Sequence, residues 1–269
     1  MPQPAGSQAF VGRARELAVL SAAWRQAATG DARLALVSGE PGIGKTELAR
    51  AFARVARDDG ALVLWGSAWE DGGAPPYWPW VQVLRSYARQ AGAALTDAAG
   101  AQAGVLGQLL PELGSGPAVS GPEARLTLFE AVCTVLDQAS RAVPVAVILD
   151  DLHAAGRPSA LLLRFAAAAP LSRVLLLATY RAAEVALDPE VSDVIAALES
   201  VSAPLILSGL RVEDVGRMLP GVGADVLAVV QRRSEGNPLF VSQVARLLEP
   251  GVATVEQVRA RGSRDRSDE

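Results

Sequence analysis

Gly39, Gly44, Lys45 and Thr46 stand in the spacing G-x-x-x-x-G-K-[ST] within LALVSGEPGIGKTEL. Each residue type there answers a separate need of phosphate binding. Glycines let successive backbone N–H groups converge on an anion at the start of a helix. Lys45 adds a mobile positive charge for β- and γ-phosphates, and Thr46 offers a hydroxyl to Mg²⁺. Glu40, Pro41, Gly42, Ile43 and Glu47 complete the stretch around the phosphates, with Pro41 stiffening the turn and Gly42 permitting it. The order required is strand, loop, helix, and the apolar run Leu34 to Val37 before the loop supplies the strand.

A phosphate loop does not hydrolyse anything alone. VAVIL ends in Asp150 and Asp151, and a carboxylate at the end of a strand beside the loop can hold Mg²⁺. Asp150 is the metal-side acid, and Asp151 is placed to polarise an attacking water; the other reading of Asp151 is a solvated loop carboxylate or a helix cap. Arg181, after LLLATY, would stand on the same edge and could stabilise charge on the γ-phosphate, or be a surface charge. His153, the single histidine, has no partners for metal ligation, so capping or hydrogen bonding to the acidic loop is expected. Cys133 reads as a small buried apolar residue rather than a nucleophile.

These residues need elements to carry them. Leu17, Leu20 and Trp24 mark a helix between about 13 and 28, and Leu48, Ala49, Phe52 and Val55 mark the inward face of a helix after the loop. Strands are expected at Leu34 to Val37, Ala61 to Trp65, Val143 to Leu149, Val174 to Thr179 and Leu205 to Ser208. Helices are expected from about Tyr77 to Gln90, near Val105 to Leu110, and over Glu123 to Arg141, the last with Leu126, Phe129, Val132, Val135 and Leu136 inward. Others follow at Ser159 to Ala168 and Glu190 to Leu198. The cluster Tyr77, Trp78, Pro79, Trp80 could stack a base or pack in the core. Strands alternating with helices and apolar on both faces predict an α/β, doubly wound P-loop NTPase fold, with a five-stranded, mainly parallel sheet and helices on both faces. After Gly209 three short helices (212–219, 224–234, 238–248) predict a small C-terminal helical lid. The expected organisation is a mobile lead at 1–9, the α/β domain at 10–209, the lid at 210–249 and a disordered tail at 250–269.

Half of the 269 residues are apolar, ample for a core, and the net charge of −4 argues against a surface built mainly for nucleic acid. One cysteine permits no intramolecular disulfide, the N-terminus has no basic start or apolar core of a signal peptide, and Ala160 to Ala178 is broken by Arg164, Pro170 and Arg173. The expected compartment is the cytoplasm, with no membrane partner.

FVGRARELAVL, GEPGIGKTEL, PYWPWVQVLR, VILDDLH, LLLATYR and EGNPLFV occur in an order that resembles the AAA-like module of STAND-class signalling ATPases, especially large LuxR-type transcriptional regulators. The resemblance spans about residues 10 to 249. It implies that Gly12 and Arg13 lie beside the adenine, that Arg181 is the sensor arginine, and that Pro238 packs near the base from the lid, with Gly236 and Asn237 shaping that turn. It also implies a switch in which ATP binding moves the lid and hydrolysis is slow. Where the family commonly has Trp-Ala-Asp and a serine after the acids, this chain has Ala154, Ala155, Gly156 and Arg157. The family continues into a winged helix, a repeat region and a DNA-binding helix-turn-helix. The expectation here is a fragment, a truncated product or a stand-alone module that does not bind DNA by itself.

The resulting functional expectation is an ATP-binding regulatory module with Mg²⁺ as cofactor, a slow ATPase, with self-association or a regulatory protein as the open partner. A scaffold that binds nucleotide or a partner without hydrolysis is the second reading, and phosphate transfer to a small molecule the third.

Overall fold

The computed structural model describes residues 10–69, 74–91, 94–114 and 122–247. The expected lead at 1–9 and the tail at 250–269 lie outside the described residues. The chain begins with helix α1 (Ala14–Thr29), strand β1 (Arg33–Gly39), helix α2 (Lys45–Asp58) and strand β2 (Leu62–Ser67). Helices α3 (Trp78–Ala91), α4 (Ala94–Ala99), α5 (Ala103–Leu106) and α6 (Pro122–Ala142) lead to strand β3 (Val145–Asp150). Helix α7 (Gly156–Ala168), strand β4 (Val174–Tyr180), the single turn α8 (Ala182–Val185), helix α9 (Pro189–Glu199) and strand β5 (Leu205–Leu207) complete the α/β part. Helices α10 (Val212–Met218), α11 (Ala224–Ser234) and α12 (Pro238–Leu247) follow.

The five strands lie in the order β2-β3-β4-β1-β5, and every pairing is parallel. Parallel strands must be covered on both faces because the connecting helices return over them. Alternate side chains therefore enter different cores. Ala35, Val37, Ile148 and Leu177 pack beneath α1 and α2, whereas Leu36, Val147, Leu149 and Leu176 pack against α3, α6, α7 and α9. All residues of β3 and β4 are buried. Each fully buried leucine or valine on these strands contributes about 1.5–3 kcal/mol relative to exposure.

Two inward faces differ from the predicted pattern at one position each. On α2, Ala56 is buried and Val55 only half-buried, because Leu48, Phe52 and Ala56 keep the four-residue spacing of one stripe. On α6, Leu128 is buried and Leu126 is 48% exposed; the stripe runs through Leu128, Val132, Val135, Leu136 and Ala139. The region 94–113 holds more short helix than its Ala/Gly-rich sequence predicts. The aromatic cluster belongs to the core: Trp80 is fully buried with its indole Nε1 donating to the Ser159 carbonyl at 3.1 Å, and Tyr77 packs edge-on against Phe129 with ring centroids 6.1 Å apart. Cys133 is buried too, and burial pushes its thiol up to about 12, which keeps it from being a thiolate nucleophile at neutral pH.

The helices α10 to α12 and the residues flanking them have their own small core of Leu210, Val215, Leu219, Val226, Val230 and Val241. They meet the α/β part where two chain segments cross. The Leu210 N–H donates to the Gly236 carbonyl at 2.7 Å. A Cβ on Gly209 would lie 1.8 Å from the Glu235 carbonyl oxygen, so only glycine permits that approach. Among the described residues no helix is long and apolar enough to cross a membrane.

Candidate functional site: a cleft between the phosphate loop and the C-terminal helices

The sheet register decides which side chains can meet. Val37 pairs with Thr179 and Gly39 with Leu207, while Leu149 pairs with Ala178 and Ser67 with Asp150. The ends of β1, β3, β4 and β5 therefore reach one edge of the sheet, the carboxyl edge where α/β folds collect ligands. The loop, both acids and Arg181 leave from that edge.

The loop closes with Gly42 at φ 72° and Gly44 at φ 101°, values open to glycine and strained for other residues. Gly44 caps α2, so the free N–H groups of the first turn point to the loop's concavity. Lys45 folds back into this concavity. Its Nζ donates to the carbonyls of Gly39 and Glu40, each at 3.0 Å, and the residue is 5% exposed. Burial lowers its pKa most; the carboxylates of Asp151 and Asp150 oppose that effect, and the Arg181 guanidinium adds to it. The ammonium is thus held by loop carbonyls in a setting that would reward a further anion.

Asp150 is 3% exposed. Its Oδ1 accepts from the Thr179 hydroxyl at 2.6 Å, and that hydroxyl oxygen accepts in turn from the Asp151 N–H at 2.9 Å. One threonine on the neighbouring strand therefore fixes both acids. Asp151 itself is left-handed at φ 56°, a turn that aspartate tolerates better than most residues and that puts it on the cleft wall. Arg181 Nη1 donates to Glu184 Oε1 at 2.6 Å, and this bond, more than the charge alone, lowers the Glu184 pKa.

His153 is buried, and its Nε2 lies 3.2 Å from Glu184 Oε2 without the alignment of a hydrogen bond. It meets α8, not the acidic loop. Burial, aided by Arg181 and Lys45 and opposed by Glu184, pushes its pKa down to about 4. In an unfolded chain the value is about 6.5. Between these values the unfolded chain binds more protons, so stability is lost as pH falls from about 6.5 toward 4. The thermal midpoint should drop between pH 7 and pH 5 in the native protein and drop less in His153→Gln. Parallel pH profiles for the two would contradict this assignment.

A cleft of about 680 Å³ opens between this edge and the C-terminal helices. Gly42, Ile43, Gly44, Lys45, Thr46 and Glu47 line it from the loop, Asp151 and Arg181 line it from the ends of β3 and β4, and Phe10, Val11, Met218, Pro238 and Leu239 add apolar surface. The volume falls within the usual range of small-molecule pockets. Gly39, Glu40 and Pro41 do not line it; their carbonyls face Lys45 and Asn237 instead. Arg13 lines the cleft but is largely occupied as a tie, its Nη2 donating to the carbonyls of Ile43 at 3.0 Å and Ser208 at 2.6 Å. Gly12 is not on the wall. It sits at φ 70° where a Cβ would come within 2.9 Å of Leu210 Cδ2, so it serves the packing of the N-terminal segment on the C-terminal helices.

Direct bonds join the loop to α12. Asn237 Nδ2 donates to the Pro41 carbonyl at 2.9 Å, and the Leu239 N–H approaches the Gly42 carbonyl at 3.3 Å. A Cβ on Gly42 would lie 2.6 Å from Leu239 Cβ. Sequence patterns do not single out Glu184, Met218, Leu239 or the arginines of α2 and α12. Glu184 sits on a single helical turn too short to leave a periodic signal, and the others reach the cleft only through tertiary packing.

Of the two oxygen donors expected to hold a divalent cation, Thr46 lines the cleft, whereas Asp150 is buried and does not line it. Among the described residues no group of three or more His, Cys, Asp or Glu is arranged to hold a metal. A hydroxyl and a carboxylate are donor types that Mg²⁺ takes beside waters and phosphate oxygens.

A family model described as AAA ATPase domain matches residues 9–177. Searching curated proteins by sequence gave no match. Among solved structures, AMPPCP-bound DnaA from Aquifex aeolicus is similar at 16% identity and TM-score 0.52, covering 95% of this chain and 67% of that one. The Aeropyrum pernix ORC1 protein in complex with DNA follows at 18% identity and TM-score 0.47, covering 96% and 67%. CDC6P from Pyrobaculum aerophilum gives 14% identity and TM-score 0.48, covering 89% and 60%. The DnaA likeness supports the five-stranded P-loop fold and nothing finer at that identity. With more than half of its length matched by the family model and its strands in a P-loop arrangement, the chain belongs to the AAA ATPase domain family.

Proposed function

We propose that the cleft binds ATP with Mg²⁺, hydrolyses it slowly to ADP, and translates nucleotide state into the position of residues 210–249, acting as a lid. The observation that carries this reading is the direct bonding of the lid to the phosphate loop through Asn237 and Leu239. A ligand seated on the loop would sit beside those contacts, since the Leu239 N–H already meets the Gly42 carbonyl.

In this reading the loop N–H groups and Lys45 hold the polyphosphate, and Pro238, Phe10, Val11 and Met218 enclose the base. Arg13 braces the loop through the Ile43 carbonyl. Thr46 and Asp150 would hold Mg²⁺, which neutralises charge on the β- and γ-oxygens when bound. Asp151 accepts the proton of the attacking water, and Arg181, once released from Glu184, stabilises the charge that develops on the γ-phosphate. The motif order from FVGRARELAVL to EGNPLFV supports placing the module among STAND-class, LuxR-type regulators working in the cytoplasm.

A second reading, nucleotide binding without hydrolysis, is favoured by one feature. Asp151 is the carboxylate that raises the Lys45 pKa most, which fits a counter-charge as well as a base. Titration with ATP and GTP, with and without Mg²⁺, followed by a phosphate-release assay, tests both. Saturable ATP binding with slow release supports the first reading, binding without release the second, and no binding defeats both.

A further inference from the structure

The cleft is also lined by arginines that lie beyond the phosphate loop in sequence, Arg50 and Arg54 on α2 and Arg246 on α12. Thr46, Arg50 and Arg54 follow one face of α2 at four-residue spacing, and Arg54 lies about 12 Å along the axis from Thr46. Ser242 and Arg246 continue the cleft-facing side of α12. Arg246 lies about 12 Å along that helix from Pro238. Both helices begin at the loop, α2 from Gly44 and α12 beside the Leu239 contact to Gly42, and both Arg54 and Arg246 line the same cleft.

The nearer cations already have partners. Arg13 pairs with Glu16, Arg50 with Glu47 and Arg181 with Glu184. Among the described residues neither Arg54 nor Arg246 forms an ion pair. Two guanidiniums line one cleft without a paired carboxylate among the described residues, and the planar fork of each matches phosphate oxygens.

Resting on the nucleotide reading above, we propose that Arg54 and Arg246 form a second anion subsite that takes a phosphate ester on the ribose of a bound adenine nucleotide. The loop holds the 5′-phosphates and the apolar surface holds the base, so the ribose hydroxyls are the points from which a further anion extends between α2 and α12. The ligand class is an adenine nucleotide phosphorylated at the 2′ or 3′ position.

The test is calorimetric titration of the full chain with ADP, with ADP carrying a 3′-phosphate and with ADP carrying a 2′-phosphate. The same ligands are titrated into the double variant Arg54→Gln, Arg246→Gln. At least one ribose-phosphorylated ligand should bind the native protein about tenfold tighter than ADP, and the double variant should lose that preference while binding ADP as before. ADP binding with no preference in the native protein, or a preference that survives the double variant, overturns the subsite alone. Failure of ADP and both derivatives to bind the native protein overturns the nucleotide reading and the subsite with it.

Discussion

Lys45→Ala should weaken ATP binding by roughly ten- to a hundredfold, the equivalent of about 1.5–3 kcal/mol for a charge-assisted hydrogen bond. The fold should survive the change. The ammonium is buried and donates to the Gly39 and Glu40 carbonyls, and its lowered pKa shows that burial costs the charge more than the nearby acids return. Removing it relieves that cost and takes one donor from the two loop carbonyls. The loss should therefore appear in nucleotide affinity, with a thermal midpoint close to native. Equal ATP affinity in native and variant proteins would remove Lys45 from the site.

Asp151→Asn should reduce phosphate release by roughly 10²- to 10⁴-fold, the range of a positioned general base, while ATP affinity changes only a few-fold. This substitution isolates the carboxylate. Asparagine accepts the left-handed backbone that the residue adopts at φ 56°, and the N–H that donates to Thr179 remains. Asp150 keeps its own bond from the Thr179 hydroxyl. If turnover is unchanged, Asp151 acts as counter-charge to Lys45 and the water is activated elsewhere. Comparing Asp151→Asn with Asp150→Asn separates the acids, since the second should affect the Mg²⁺ dependence of binding.

The loop and the two acids are legible in the sequence because their chemistry is local. Glycine spacing, a lysine and a hydroxyl in one stretch say what they can hold, and an aliphatic run ending in two aspartates says where the strand stops. The fold class is legible for a similar reason: β3 and β4 are apolar along nearly their whole length, which only a sheet covered on both faces requires. Helix phase is less secure. Sequence spacing puts Leu126 inward on α6, and packing against the neighbouring elements, absent from periodicity, selects Leu128 instead.

Closure between distant segments leaves no such local trace. Thr179 is visible as a strand end, but its bond to Asp150 exists only because β3 and β4 are neighbours in register. Arg13 ties Ile43 to Ser208, thirty and one hundred and ninety-five residues away in sequence, and no pattern around FVGRARELAVL announces those two carbonyls. Asn237 reads as a residue shaping a turn, and its amide in fact reaches the phosphate loop.

The central claim is that the loop around Gly42 grips the phosphate tail of a nucleotide. Equilibrium dialysis of the full chain with radiolabelled ATP, competed by unlabelled ATP, ADP and adenosine, tests it most directly. Saturable binding to one site is expected, displaced by ATP and ADP and not by adenosine at the same concentration. Displacement by adenosine as effective as by ATP, or no saturable binding, would contradict it.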